Sequence, residues 1–150
     1  IEHDLLEKLA DVSAQCVKMG MPLCGEIIPR VSYKDQANSM PTSEDMAIAM
    51  RIALEYGCDL VKTVYNGDRA GYAKAISSCH LPVIMAGGPK SDDDTAIFRQ
   101  LREVIDAGGR GAAVGRRVWG SDRPEATLRA IKSIVIDDVS LEEALAAYME

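Results

Sequence analysis

No apolar run in the sequence approaches the roughly 18 to 20 residues needed to cross a bilayer, and no charged-then-apolar segment opens it. A membrane-spanning protein is therefore not expected, and a soluble, cytoplasmic one is. A basic surplus is also missing. The 17 Lys and Arg stand against 23 Asp and Glu, a formal net charge of -6, whereas nucleic-acid backbones are held mainly by clustered Lys and Arg. A nucleic-acid partner is not expected, but a small anion held at a local site is compatible with this balance. Cys16, Cys24, Cys58 and Cys79 form no CxxC and no ligand-like spacing with His3 or His80, so neither a zinc site nor a disulfide framework is signalled. The four thiols read as helix faces and strand edges of a reduced protein. No low-complexity stretch or linker divides the 150 residues, a length that supports one domain with a real core. The chain opens at Ile1, directly in helical sequence, which points to residues upstream.

What is present is a regular beat. Leu5, Leu9, Val12, Cys16 and Met19 recur at helical spacing before Gly20, predicting an amphipathic helix over residues 4–19. Residues 22–29 are short and apolar enough for a buried strand, and residues 30–41 read as a long loop of the functional kind. Thr42 and Ser43, followed by Glu44 and Asp45, cap a helix that ends at Gly57. Further strands are expected over residues 59–65, 81–86 and 111–115, with helices over 69–78, 92–107, a segment starting near Pro124, and a last one from Ser140 to Met149. Ser140 and Glu143 have the spacing of a capping box. A helix followed by four strand-helix units implies an α/β protein with a parallel sheet, expected to be covered on both faces. Both an open doubly wound sheet and part of a barrel fit; four strands are about half of a (βα)8 barrel.

Lys62 stands in the middle of Leu60-Val61-Lys62-Thr63-Val64, where a lysine must be desolvated, paired or snorkelling. Desolvation leaves the neutral amine available to attack a carbonyl and form an iminium; the structural alternative is a lysine paired with Asp59 or Glu26. Glu26, inside the first strand, reads either as a proton shuttle or as the counter-ion of Lys62. Gly87-Gly88 and Gly115-Arg116 end consecutive strands, with Lys90 close by. Glycines at such ends let backbone N–H groups approach a phosphate, although each pair alone would also serve a tight turn. Tyr33, Tyr65 and Trp119 could contact a ligand or simply pack; the methionines read as core, and His3 and His80 are given no role.

Five segments can be matched as a set: Gly-Met-Pro-Leu at 20–23, Gly-Cys-Asp-Leu-Val-Lys-Thr at 57–63, Tyr-Asn-Gly-Asp at 65–68, Leu-Pro-Val-Ile-Met-Ala-Gly-Gly-Pro-Lys at 81–90, and Val-Gly-Arg-Arg-Val-Trp at 114–119. In order and content they resemble the archaeal-type, DhnA-like class I fructose-bisphosphate aldolase family, which also holds transaldolases and a thiolase acting on phosphorylated sugars. The resemblance implies that the four strands are the fifth to eighth of a (βα)8 barrel and that Lys62 is the Schiff-base lysine. It implies that Gly87, Gly88, Gly115 and Arg116 hold the substrate phosphate, with no metal or other cofactor. The activity implied is that of an aldehyde-lyase on a phosphorylated ketose, fructose-bisphosphate or a related sugar phosphate. The alternatives are a thiolase- or transaldolase-like transferase of the same family, or an inactive phosphate-binding half-barrel. The sequence departs from the family at Ile28, where its aldolases carry a tyrosine acid/base, leaving Tyr33 or Glu26 to substitute. It also lacks the first four strands. A half-barrel exposes strand edges and half a core, so this piece is expected to be inactive alone, and either unstable by itself or associated, as a homo-oligomer, through those edges.

Overall fold

The computed structural model describes residues 2–29, 40–88 and 93–150. The elements run α1 (Glu2–Met19), β1 (Cys24–Glu26), α2 (Ser43–Glu55), β2 (Leu60–Thr63), α3 (Arg69–Ser77), β3 (Val83–Ala86), α4 (Ala96–Asp106), β4 (Gly111–Ala113), α5 (Arg116–Trp119), α6 (Pro124–Val135) and α7 (Leu141–Met149). The helix starts follow from local chemistry. Thr42 and Asp45 form a reciprocal capping box on α2, Ser140 and Glu143 do the same on α7, Asp68 accepts from the Gly71 N–H at 3.0 Å to start α3, and Pro124 opens α6.

The strands pair in parallel in the order β1-β2-β3-β4, with Glu26 beside Lys62 and Lys62 beside Ile84. Parallel crossovers are right-handed, so a sheet whose connections all step in one direction puts its helices on one side. A doubly wound sheet reverses direction at a switch point, and the described sheet has no reversal. Gly25, Val61, Thr63, Val83 and Met85 are accordingly buried. Val61, Val83 and Met85 join one core with Met46, Met50, Tyr72, Phe98, Leu101 and Ile134 of the helices. The alternate row of Cys24, Glu26, Leu60, Lys62, Ile84 and Ala86 is exposed or half-buried. The expectation of cover on both faces is therefore corrected. Short apolar strands carry the same pattern whether a helix or the opposite wall of a barrel covers the second face.

Three other expectations change. The first strand keeps only Cys24–Glu26 of residues 22–29, because the Leu23 N–H donates to the Asp59 carboxylate at 2.7 Å and the flanking Pro22 and Pro29 have no N–H to give. In α1, Leu9 packs on the core and Ser13 is buried, its hydroxyl donating to the Gly57 carbonyl at 3.2 Å. Leu5, Val12 and Met19 of the predicted apolar face are exposed. An amphipathic helix beside an edge strand has neighbours on one side only. The one-turn α5 is not foreseen by the pattern, since four residues carry no readable period. Most of the 30–41 loop, Tyr33 within it, and Lys90 lie outside the described residues.

Thr42→Ala removes one side of the α2 capping box and is expected to cost about 1 kcal/mol of stability at neutral pH. Its bonds to the Thr42 hydroxyl and then to the Thr42 N–H hold the Asp45 carboxyl below the usual 3.8. A depressed carboxyl stabilises fully above its unfolded value, and the contribution disappears as pH falls through the folded one. Urea unfolding should therefore show wild type and Thr42→Ala converging below about pH 4; a gap that persists unchanged into acid would contradict this account.

Candidate active site

With Val61 and Thr63 turned to the helices, strand alternation puts Lys62 on the uncovered face. Its register partner on β1 is Glu26. The Lys62 ammonium Nζ donates to Glu26 Oε1 at 2.8 Å, and the two side chains are 23% and 51% exposed. The amine expected to be sealed from water is thus partly open and paired, and the partner is Glu26 rather than Asp59. A pair this exposed adds little to stability. Its chemical value is positional, since a carboxylate lies within proton-transfer distance of the nitrogen. Ile84, next in the row on β3, supplies an apolar flank.

The segments after the strands gather at the carboxyl edge of the sheet, where ligands bind in parallel α/β folds. After β2, Asn66 donates to the Pro41 carbonyl and to the Ser43 hydroxyl, each at 3.2 Å, and Ser43 donates to Asp68 at 2.8 Å. That network ties the start of α2 to the turn that follows Lys62. After β3, the Gly87 N–H donates to the Ala113 carbonyl at 3.2 Å, and a Cβ at Gly87 would sit 2.9 Å from Val114 Cα. Two strand ends meet there backbone to backbone, which only glycine allows. Gly88 follows at φ +68°, a left-handed conformation that costs glycine nothing. After β4, a Cβ at Gly115 would run into the Trp119 ring, and the Gly115 carbonyl accepts from the Val118 and Trp119 N–H groups as α5 begins. The helix α5 thus begins at Arg116, directly after the Gly115 turn.

The fold thus brings Gly87, Gly88, Gly115 and Arg116 together at adjacent strand ends, with Lys62 one strand away and Glu26 two. Arg116 is exposed. Tyr65 is buried and does not line the site: it faces the helices, donates to Glu103 Oε2 at 2.8 Å and meets Tyr72 edge-on at 5.1 Å. Burial, then the Glu103 bond, pushes its hydroxyl well above the usual tyrosine range. Trp119 is 74% exposed. His3 pairs with Glu7 at 3.3 Å, and His80 is exposed between α3 and β3. Ile28 is 48% exposed just past β1. Among the described residues no group of three His, Cys, Asp or Glu could hold a metal ion, and no helix is long and apolar enough to cross a membrane. Sequence reasoning passes over Arg117, whose Nε donates to the Gly87 carbonyl at 3.2 Å. Neighbouring arginines look alike until a helical turn sends one inward.

Residues 2–121 match the family model described as DeoC/LacD family aldolase. The chain is 35% identical over 145 residues to a fructose-bisphosphate aldolase class 1 of Thermoproteus tenax, covering 96% of this chain and 54% of that protein. It is 35% identical over 149 residues to a 2-amino-3,7-dideoxy-D-threo-hept-6-ulosonate synthase of Halobacterium salinarum, covering 97% and 53%. It superposes on the crystal structure of an archaeal fructose 1,6-bisphosphate aldolase with a TM-score of 0.81 at 34% identity, over 89% of this chain and 52% of that one. A further structure of an archaeal fructose-1,6-bisphosphate aldolase, with the catalytic Lys covalently bound to the carbinolamine intermediate of the substrate, superposes equally well at a TM-score of 0.81 and 34% identity. The chain spans about half the length of the curated relatives it matches, and its fold is half of a (βα)8 barrel. The resemblance seen in the motifs is upheld: the chain belongs to the DeoC/LacD aldolase family.

Proposed function

We propose that this chain is the C-terminal half, strands five to eight, of a class I aldolase that cleaves a phosphorylated ketose through a Schiff base on Lys62. In this reading it acts only when four further strands close the barrel. The observation that carries the reading is Lys62 at the centre of the uncovered face with Glu26 Oε1 2.8 Å away. That face becomes the barrel interior on closure. Strand edges at β1 and β4, together with the exposed apolar side chains of α1, are the surfaces the complementary half would cover. Four free thiols suit a reducing, cytoplasmic setting.

In the proposed reaction Glu26 takes a proton from Lys62, and the neutral amine adds to the ketose carbonyl carbon, forming a C–N bond. Loss of the hydroxyl as water gives the iminium. The bond between the next two carbons then breaks; its electron pair moves into the iminium to form an enamine, and the β-hydroxyl surrenders its proton as the aldehyde leaves. Protonation of the enamine carbon and hydrolysis of the iminium release the ketone phosphate and free Lys62. Ile28 offers no proton, so transfer to and from the sugar falls to Glu26, with Tyr33 the second candidate. Gly87, Gly88, Gly115 and Arg116, with Lys90 beyond, grip the phosphate, and fructose-bisphosphate or a related sugar phosphate is the substrate class.

Borohydride treatment of the closed eight-stranded protein with dihydroxyacetone phosphate should leave a reduced adduct on the peptide containing Lys62, and Lys62→Arg should abolish it. Wild-type protein that stays unmodified would rule out the Schiff-base reading. Glu26→Gln is expected to lower kcat by about 10²–10⁴-fold while an adduct still forms. Gly87→Ala forces the Val114 backbone away; steady-state kinetics should show KM rising at least about tenfold, with no comparable change for an unphosphorylated ketose.

A further inference from the structure

The segments that leave β3 and β4 are tied to each other twice. On the strand side the Gly87 N–H donates to the Ala113 carbonyl at 3.2 Å. On the helix side the Ser121 hydroxyl donates to Asp94 Oδ2 at 2.5 Å, and the same oxygen accepts from the Tyr148 hydroxyl at 3.2 Å. Asp94 stands just before α4, Ser121 just before α6, and Tyr148 in the last turn of α7. Three helical elements thus meet on one carboxylate. Ser121 is buried; its oxygen also accepts from the Arg123 N–H at 3.0 Å and lies 2.9 Å from the hydroxyl of the wholly buried Thr127.

Packing alone does not call for the Tyr148 hydroxyl. The Tyr148 ring is held edge-on by Phe98 at 5.2 Å and covered by the Arg123 guanidinium at 5.1 Å, and a phenylalanine would keep both contacts. The hydroxyl adds a directed bond to a charged acceptor, the stronger kind of hydrogen bond. Two donors on one oxygen fix the direction of the carboxylate, and with it the place at which the chain from Gly88 enters α4. Ser121 fixes in the same way the place at which the chain from Gly115 leaves α5. The spacing of the two glycine-bearing segments is therefore set from outside the sheet, by a helix that follows the last strand-helix unit.

We propose that Asp94, Ser121 and Tyr148 form a positioning tie through which α7 holds the Gly87-Gly88 and Gly115-Arg116 segments at the separation a phosphorylated substrate needs. In this arrangement none of the three touches the substrate; they act through the backbone of the two segments. The inference rests on the phosphate reading above and is independent of Schiff-base chemistry at Lys62. It carries a reciprocal effect. If docking of α7 tightens phosphate binding, phosphate must by the same factor tighten the docking of α7.

The test uses the closed eight-stranded protein, with inorganic phosphate and a phosphorylated ketose as probes. Tyr148→Phe is expected to weaken phosphate binding in titration calorimetry, and to raise KM for the phosphorylated ketose, by about threefold to tenfold. Its kcat should stay within about twofold, and the constants for an unphosphorylated ketose should not move. Asp94→Ala is expected to have a larger effect and to erase that of Tyr148→Phe, since the hydroxyl then has no acceptor to act through. A bond that served stability alone would lower the melting temperature without this split between KM and kcat. Unaltered phosphate affinity and KM in Tyr148→Phe, or an equal Tyr148→Phe effect with and without Asp94, overturns the tie. Should the variants fail to fold, hydrogen exchange of the wild-type protein decides the question: saturating phosphate must slow amide exchange across α7, and unchanged exchange refutes the proposal. Wild-type protein that binds no phosphate would fell the phosphate reading and the tie with it, whereas equal phosphate affinity in wild type and Tyr148→Phe would fell the tie alone.

Discussion

A parallel sheet wound in one direction is dry on one face and bare on the other, and the rest of the molecule follows from that constraint. The dry face is a core: Val61, Val83 and Met85 share one cluster with residues of α2, α3, α4, α6 and α7, their side chains almost wholly out of water. The bare face cannot be a conventional core, because Lys62 and Glu26 stand in its central row. A single strand therefore does two jobs at a period of two. Its odd-numbered residues anchor the layer, and its even-numbered ones present chemistry to whatever occupies the other side.

The same division explains how the ends of the strands are used. Gly87 and Gly115 are needed where backbones or rings press too closely for a Cβ, and this crowding draws the ends of β3 and β4 together. Anion recognition by backbone geometry needs few long flexible cations, so a net charge of -6 does not oppose the phosphate site proposed above.

Much of this is readable in the amino-acid order. The capping residues Thr42 and Ser140, the glycines that end helices, and the alternation around Lys62 each report a local rule, and local rules survive folding. The strand ends are less readable: Leu23 gives its N–H to Asp59, a partner 36 residues away that no pattern in residues 22–29 reveals. One-sided cover is invisible for another reason, since burial against a helix and burial inside a barrel demand the same apolar residues. The bond from Arg117 to the Gly87 carbonyl escapes a reading of the sequence because it depends on one turn of helix too short to announce itself.

The ion pair on the bare face also bears on how such a layer survives before it is complete. The helix-side core gathers in one cluster, while the other face exposes four strands' worth of surface. Had that surface been uniformly aliphatic, it would invite the same surface of another nascent chain. Lys62 and Glu26, planted in the middle row, make unguided stacking costly because two charges would have to lose their water. The uncovered face thus keeps a polar centre wherever it lacks a cover.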